Sequence, residues 1–198
     1  MKIFEVDDEG KEKKPEVYVD MDGVLADFFG AWAKLAGKEH YKEIDDPETK
    51  LQLIREHPTF WIDLPTLPGA GKLLGAVKKF AGTYRICSTP LAGDPNSEPQ
   101  KREWVKKHLS SFAPREVIIT HNKAAHATQA DGTPNILIDD FGKNIRAWEA
   151  AGGIGIKYED SHVSSAIQEL KKAMEARPRT NDDQELPAKT SQEKPRHQ

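Results

Sequence analysis

Cysteine is almost absent from these 198 residues. Cys87 alone can form neither an internal disulfide framework nor a multi-cysteine zinc site, and its isolation points to a reducing compartment, with the cytoplasm as the default. No apolar run approaches the roughly 20 residues that cross a bilayer. The first residues, Met1-Lys2-Ile3-Phe4-Glu5-Val6-Asp7-Asp8, lack the apolar core of a secretory signal, so neither a membrane protein nor an exported one is expected. Charge of one sign is also lacking. With 29 basic against 32 acidic residues the net charge is -3, which leaves no footprint for a long polyanion, and long nucleic acid is not an expected partner. There is no internal repeat.

What the sequence does have is alternation. Five short β-rich runs, Val17-Tyr18-Val19, Tyr84-Arg85-Ile86-Cys87, Val117-Ile118-Ile119-Thr120, Asn135-Ile136-Leu137-Ile138 and Gly153-Ile154-Gly155-Ile156, are separated by longer helical patterns. That order predicts an α/β fold, a three-layer Rossmann-like parallel sheet covered by helices. Four of the runs end in polar clusters: Asp20-Met21-Asp22, Ser88-Thr89, His121-Asn122-Lys123 and Asp139-Asp140. In an open α/β sheet ligands bind beyond the carboxyl ends of the strands, so these four clusters are expected to share one site.

More than sixty residues separate the first two runs, far beyond a simple crossover. Phe28, Phe29, Trp32 and Leu35 fall at helical spacing over 27–38, and Leu51, Leu53 and Ile54 do so over 47–57. Residues 26–65 are therefore expected to form a small helical cap, and 15–25 with 66–176 the core. Pro65, Pro68 and Gly69 interrupt the chain before a further helix over 70–80. Residues 177–198 have no aromatic side chain and contain Pro178, Pro187 and Pro195, and they are expected to be a disordered tail.

Asp20 and Asp22 lie one residue apart at the end of an apolar strand, with Gly23 permitting a sharp exit. Alternation along an extended strand projects both carboxylates the same way, so that one can attack a substrate while the other handles protons. Here the sequence resembles the haloacid dehalogenase (HAD) superfamily of phosphotransferases, whose first motif has this DxDG form. Ser88, Lys123 and the Asp139-Asp140 pair follow in the order of that superfamily's remaining motifs. The resemblance implies Asp20 as nucleophile and Asp22 as the acid that protonates the leaving oxygen and then activates water. A dianionic phosphate ester repels a carboxylate, so the chemistry implies Mg²⁺, held by Asp20, Asp22 through its carbonyl, and Asp139 or Asp140. Ser88 and Lys123 would hold the equatorial oxygens of the transferring group, and Lys123 would also offset the crowd of aspartates.

A narrower resemblance, over about residues 15 to 150, is to the cytosolic and mitochondrial 5′(3′)-deoxyribonucleotidases and their microbial relatives. It rests on residues 20–28, on Phe60-Trp61 with Leu64-Pro65 and Leu67-Pro68-Gly69, on residues 86–91, on Lys101-Arg102-Glu103-Trp104-Val105 and on Ile138-Asp139-Asp140. It implies a phosphomonoesterase that turns a deoxyribonucleoside monophosphate into nucleoside and phosphate, with Phe28, Phe60 and Trp61 forming a base slot and Thr89 a further substrate contact. The chain departs from that family's usual residues in Ser88-Thr89, where threonine then serine is more common, and in Phe141, where the family more often has arginine.

Two other readings stay open at this point: a polynucleotide 3′-phosphatase, and a binding protein of the same fold that has lost turnover. A homodimer is left open as the assembly. Lys101, Arg102, Lys106 and Lys107, interspersed with Glu103, read as a solvated helix face. Cys87 reads as a small buried apolar residue. His121 and His126 read as solvated loop residues, and one of Asp139 and Asp140 is expected to cap the following helix.

Overall fold

A computed structural model of the chain describes residues 13–176; the tail predicted over 177–198 lies outside them. Five parallel strands, β1 (Val17–Val19), β2 (Arg85–Ser88), β3 (Glu116–Ile119), β4 (Ile136–Asp139) and β5 (Ile154–Lys157), run in the order β3-β2-β1-β4-β5. β1 lies at the centre and is buried along its whole length. Consequently the chain leaves β1 with β2 on one side and β4 on the other, the arrangement in which diverging loops open a crevice at the carboxyl edge. This is the α/β sheet expected from the alternation, with one systematic shift: β2 and β4 each take in the first polar residue, Ser88 and Asp139. Ser88 still pairs with Ile119 and Asp139 with Lys157, so both side chains are held by the sheet rather than by a loop.

Alternation along the strands supplies two apolar faces. Val17, Val19, Ile86, Ile136, Ile138 and Ile156 pack on one side with α3 (Ala70–Ala81), α4 (Ser97–His108) and α6 (Val163–Glu175). Tyr18, Cys87 and Leu137 pack on the other with Trp148 and Ile145 of α5 (Gly142–Ala150). Cys87 is fully buried there, and burial pushes its thiol up to about 12, which makes it an inert apolar side chain at neutral pH.

Between β1 and α3 lie α1 (Phe28–Leu35), a single 3₁₀ turn at Tyr41–Glu43, and α2 (Pro47–Glu56). The local sequence explains both helices. Asp27 accepts the Gly30 N–H at 2.9 Å and Asp46 accepts the Thr49 N–H at 3.3 Å, with Pro47 at the first helical position where its missing N–H costs nothing. The segment enters and leaves through paired backbone: the Asp27 N–H donates to the Pro65 carbonyl and the Leu67 N–H to the Leu25 carbonyl, both at 2.8 Å.

Trp148 carries most of the smaller core. It is fully buried, its ring lies 5.2 Å from that of Tyr18, and its indole N–H donates to the Asn135 carbonyl at 2.9 Å. Trp148→Ala should cost about 3–5 kcal/mol in a denaturant titration, because it leaves a cavity and removes one of the two hydrogen bonds to the Asn135 carbonyl, which keeps the Ile154 N–H. A loss below about 1 kcal/mol would mean that α5 collapses onto the sheet without it.

Candidate active site

The register of β1 on β4 puts Asp20 beside Asp139, with the Asp20 N–H donating to the Ile138 carbonyl at 2.9 Å. Carboxylate oxygens of Asp20, Asp139 and Asp140 lie within 4.8 Å of one another. Lys123 comes up from the 3₁₀ turn Lys123–His126 after β3 and is itself buried. Its Nζ stands 2.9 Å from Asp20 Oδ1 and 2.7 Å from Asp139 Oδ2. Three of the four polar clusters thus meet at one point.

The electrostatics follow from that packing. Burial, then Asp20, raises Asp139 to about 6 and Asp140 to about 7. Burial opposes charge on Lys123, but Asp20 and Asp139 outweigh it and hold the ammonium above its usual value. Asp139 also accepts the Phe141 N–H at 2.7 Å and the Asn144 amide at 2.9 Å. The helix-cap expectation is therefore altered: Phe141 occupies the cap position of α5 without a side-chain cap, while Asp139 ties the first turn from outside it. All donors around this point are hard oxygens carrying more negative charge than one lysine offsets, which fits a divalent cation such as Mg²⁺ held by Asp20, Asp139 and Asp140. The Asp22 carboxylate is not among them, so any part it has in holding the cation rests on its backbone carbonyl.

Asp22 is turned the other way, toward α4. Lys101 is fully buried, and its Nζ donates to Asp22 Oδ2 at 2.5 Å, Ser88 Oγ at 3.1 Å and the Thr89 carbonyl at 2.7 Å. Burial raises the Asp22 carboxyl, and Lys101 pulls it partly back. Asp22 Oδ1 is buried and has no hydrogen-bond partner among the described residues. The solvated-face reading of Lys101 is thus corrected, whereas Arg102 does lie outside, paired to Glu98. The signal was present in the spacing: Lys101 stands three and four residues before Trp104 and Val105, on the buried stripe of α4. Its cationic neighbours Arg102, Lys106 and Lys107 masked it.

Gly23 makes the turn between these two arms. Its φ is +73°, and a Cβ there would lie 2.5 Å from Asp140 Oδ2 and 2.9 Å from the Phe29 ring. The aromatic residues assigned to a base slot are packed together. Phe60 and Trp61 are 5% and 2% exposed, whereas Phe28 is only partly buried, stacked on Trp61 at 5.5 Å. His121 is exposed, and His126 stacks on Tyr18 at 5.9 Å. A cleft of about 460 Å³ opens beside the Pro90 loop, bounded by Asp94, Arg102 and His121, and does not include the carboxylates.

Comparison with known proteins bears on the family and the fold. The family described as 5′ nucleotidase, deoxy (pyrimidine), cytosolic type C protein matches residues 14–174. A Bordetella pertussis protein to which 5′(3′)-deoxyribonucleotidase activity is ascribed is 34% identical over 141 residues, spanning 63% of this chain and 73% of its own length. The human cytosolic-type 5′(3′)-deoxyribonucleotidase is 29% identical over 145 residues, spanning 63% of this chain and 69% of its own. Among solved structures, a HAD-superfamily hydrolase from Ehrlichia chaffeensis superposes with a TM-score of 0.50 at 13% identity, over 83% of this chain and all of that one. A HAD family hydrolase from Deinococcus radiodurans, solved with bound phosphate and sodium, gives 0.50 at 16% identity over 81% and 95%. These two likenesses bear on the fold.

The raised carboxyls set a pH dependence. Asp139 and Asp140 titrate at about 6 and about 7 in the folded chain, above the roughly 4 of an unfolded aspartate. They bind more protons folded than unfolded, so their contribution to stability falls as pH rises through that window. A cation that binds the ionised form reverses the loss. The rise in melting temperature on adding Mg²⁺ to chelator-treated protein should therefore be larger near about pH 8 than near about pH 5. Equal increments would show that these carboxylates are not where the ion binds.

Proposed function

Because the chain belongs to the cytosolic type C 5′ nucleotidase, deoxy (pyrimidine) family, we propose that it hydrolyses deoxyribonucleoside monophosphates to nucleoside and phosphate through an aspartyl-phosphate on Asp20. The observation that carries this reading is the convergence of Asp20, Asp139, Asp140 and Lys123 at the carboxyl edge, with Asp22 held separately by Lys101.

Asp20 is the nucleophile. Its Oδ1 is engaged by the Met21 N–H at 2.7 Å and by Lys123, which fixes the carboxylate at the end of β1. An oxygen of Asp20 attacks phosphorus as the bond to the 5′ oxygen breaks, and that oxygen takes a proton from Asp22. Burial favours the protonated form of Asp22 that this step needs, and the unpartnered Oδ1 is the atom free to carry the proton. Asp22 then takes a proton from the water that attacks the aspartyl-phosphate, which regenerates Asp20 and releases phosphate. Mg²⁺ at Asp20, Asp139 and Asp140 would supply charge neutralisation of the phosphate dianion. Lys123 offsets Asp20 and Asp139, so that the anionic ester meets a site with less repulsion. Ser88 is fully buried with its hydroxyl accepting from Lys101, and Thr89, partly buried, is the residue of that pair with surface for a substrate contact.

Of the three aromatic residues assigned to the base slot, Phe28 is the one with surface to offer a base. Residues 26–65, lying between the first strand and α3, act as the cap over the site. This covering disfavours a strand-binding phosphatase, which needs an open basic channel. The cytosolic human relative supports a cytoplasmic location.

A phosphate-release screen tests the reading. Nucleoside 5′- and 3′-monophosphates, ribo and deoxy, should be compared with sugar phosphates and a 3′-phosphorylated oligonucleotide, each with and without Mg²⁺. Deoxynucleotides should be cleaved best and only with the metal; preference for the oligonucleotide would transfer the reading to a polynucleotide 3′-phosphatase. Asp20→Asn should lower turnover by more than about a thousandfold while the melting temperature stays near that of the parent.

A further inference from the structure

Resting on the nucleotidase reading, we propose that Trp61 is a positioning residue that acts through Lys101 on Asp22, rather than a face on which a nucleobase stacks. The ring is enclosed by its neighbours. Phe28 lies parallel on one side, 5.5 Å away at 10°, and the Lys101 ammonium lies over the ring at 4.5 Å from the centroid. Phe60 meets it edge-on at 5.2 Å and 89°, and the indole N–H donates to Asp94 Oδ2 at 2.6 Å. With 2% of its surface exposed, Trp61 has no face left for a ligand unless Phe28 is displaced by a full ring thickness.

Lys101 explains why an indole is held there. An ammonium has three N–H donors, and all three are used, on Asp22, Ser88 and Thr89. The aromatic ring closes the remaining approach. A buried ammonium beside a π face is stabilised by the ring and is kept from water. Without the ring, water competes for the N–H groups and the grip on Asp22 Oδ2 loosens. The other oxygen of Asp22, buried and unpartnered, is then no longer held toward the leaving oxygen. Asp94 completes the chain of contacts: its Oδ1 accepts the Asn96 N–H at 2.9 Å, so the indole is anchored to the loop that leads into the helix carrying Lys101.

The two roles separate by substrate. Trp61→Leu and Trp61→Phe should be assayed for kcat/KM on a deoxyribonucleoside 5′-monophosphate, on 2-deoxyribose 5-phosphate, which has the same leaving oxygen and no base, and on 4-nitrophenyl phosphate, whose leaving group needs no proton. Trp61→Leu should fall about tenfold on the first two and less than about twofold on the third, and Trp61→Phe, which keeps a ring over Lys101, should recover most of the loss. A fall confined to the nucleotide would identify a stacking face and overturn the proposal. An equal fall on all three would identify general damage and overturn it too. If Trp61→Leu does not fold, Asp94→Ala, which frees the indole N–H, is read by the same three substrates and the same criteria. Failure of the nucleotidase reading is seen separately, in the wild-type preference among esters, and leaves the leaving-group pattern on 2-deoxyribose 5-phosphate and 4-nitrophenyl phosphate intact.

Discussion

Four aspartates and two lysines are packed at one edge of the sheet, and the uneven charge of that set is the constraint on which the rest depends. Asp20, Asp22, Asp139 and Asp140 crowd carboxyl groups into a desolvated edge that disfavours their charge, and among the described residues Lys123 and Lys101 are the ammonium groups paired to these carboxylates. Each lysine is spent on a different arm. Lys123 serves Asp20 and Asp139; Lys101 serves Asp22 and two oxygens of the loop after β2. Asp140 is left with no ammonium on its carboxylate, since Lys157 Nζ donates to its backbone carbonyl instead. Burial, then Asp20 and Asp139, raises Asp140 to about 7 with Lys157 offsetting this only in part, and a divalent cation suits such an all-oxygen corner.

Burying ion pairs is a poor way to gain stability, because desolvation consumes most of the attraction. What the pairs do accomplish is geometric. Lys123 reaches from the turn after β3 to the ends of β1 and β4, across the order β3-β2-β1-β4-β5, and so ties three separate crossovers to one point. Lys101 does the same for the turn after β1, the end of β2 and the first turns of α4. Two carboxylates one residue apart are thereby pulled in different directions, Asp20 toward the ion-binding corner and Asp22 toward α4. Adjacent acids with separate environments are how one site obtains both a nucleophile and a proton carrier.

The strands, their order of polar endings and the convergence of those endings were legible because each rests on local rules: period-two burial, a glycine where φ must be positive, and acids where a chain leaves a sheet. Asp27 and Asp46 were equally legible as helix starts. Lys101 was not, because a lysine among Arg102, Lys106 and Lys107 looks solvated until the helix is rotated so that Trp104 and Val105 face the core. Nor was the condition of the aromatic residues. Composition places Phe28, Phe60 and Trp61 in a small cap, but only the fold decides which ring is wedged between neighbours and which keeps an open face. The inclusion of Ser88 and Asp139 within strands, rather than after them, likewise depends on partners in β3 and β5 that no local pattern names.

Asp22 and the excursion over residues 26–65 share a single stretch of chain. The Gly23 N–H donates to the Ala26 carbonyl at 2.9 Å, and the Leu25 and Ala26 N–H groups both donate to Met21, so the turn that carries Asp22 is closed on the same residues that begin the excursion into α1. The returning segment, Pro65 to Leu67, bonds to that beginning at two places, and Trp61 lies four residues before it. Asp22 is therefore approached by the segment from two sides, through the backbone at Ala26 and through the indole over Lys101. A segment joined in this way cannot shift as a rigid flap without disturbing the acid, and the seating of residues 26–65 and the alignment of Asp22 become one structural event.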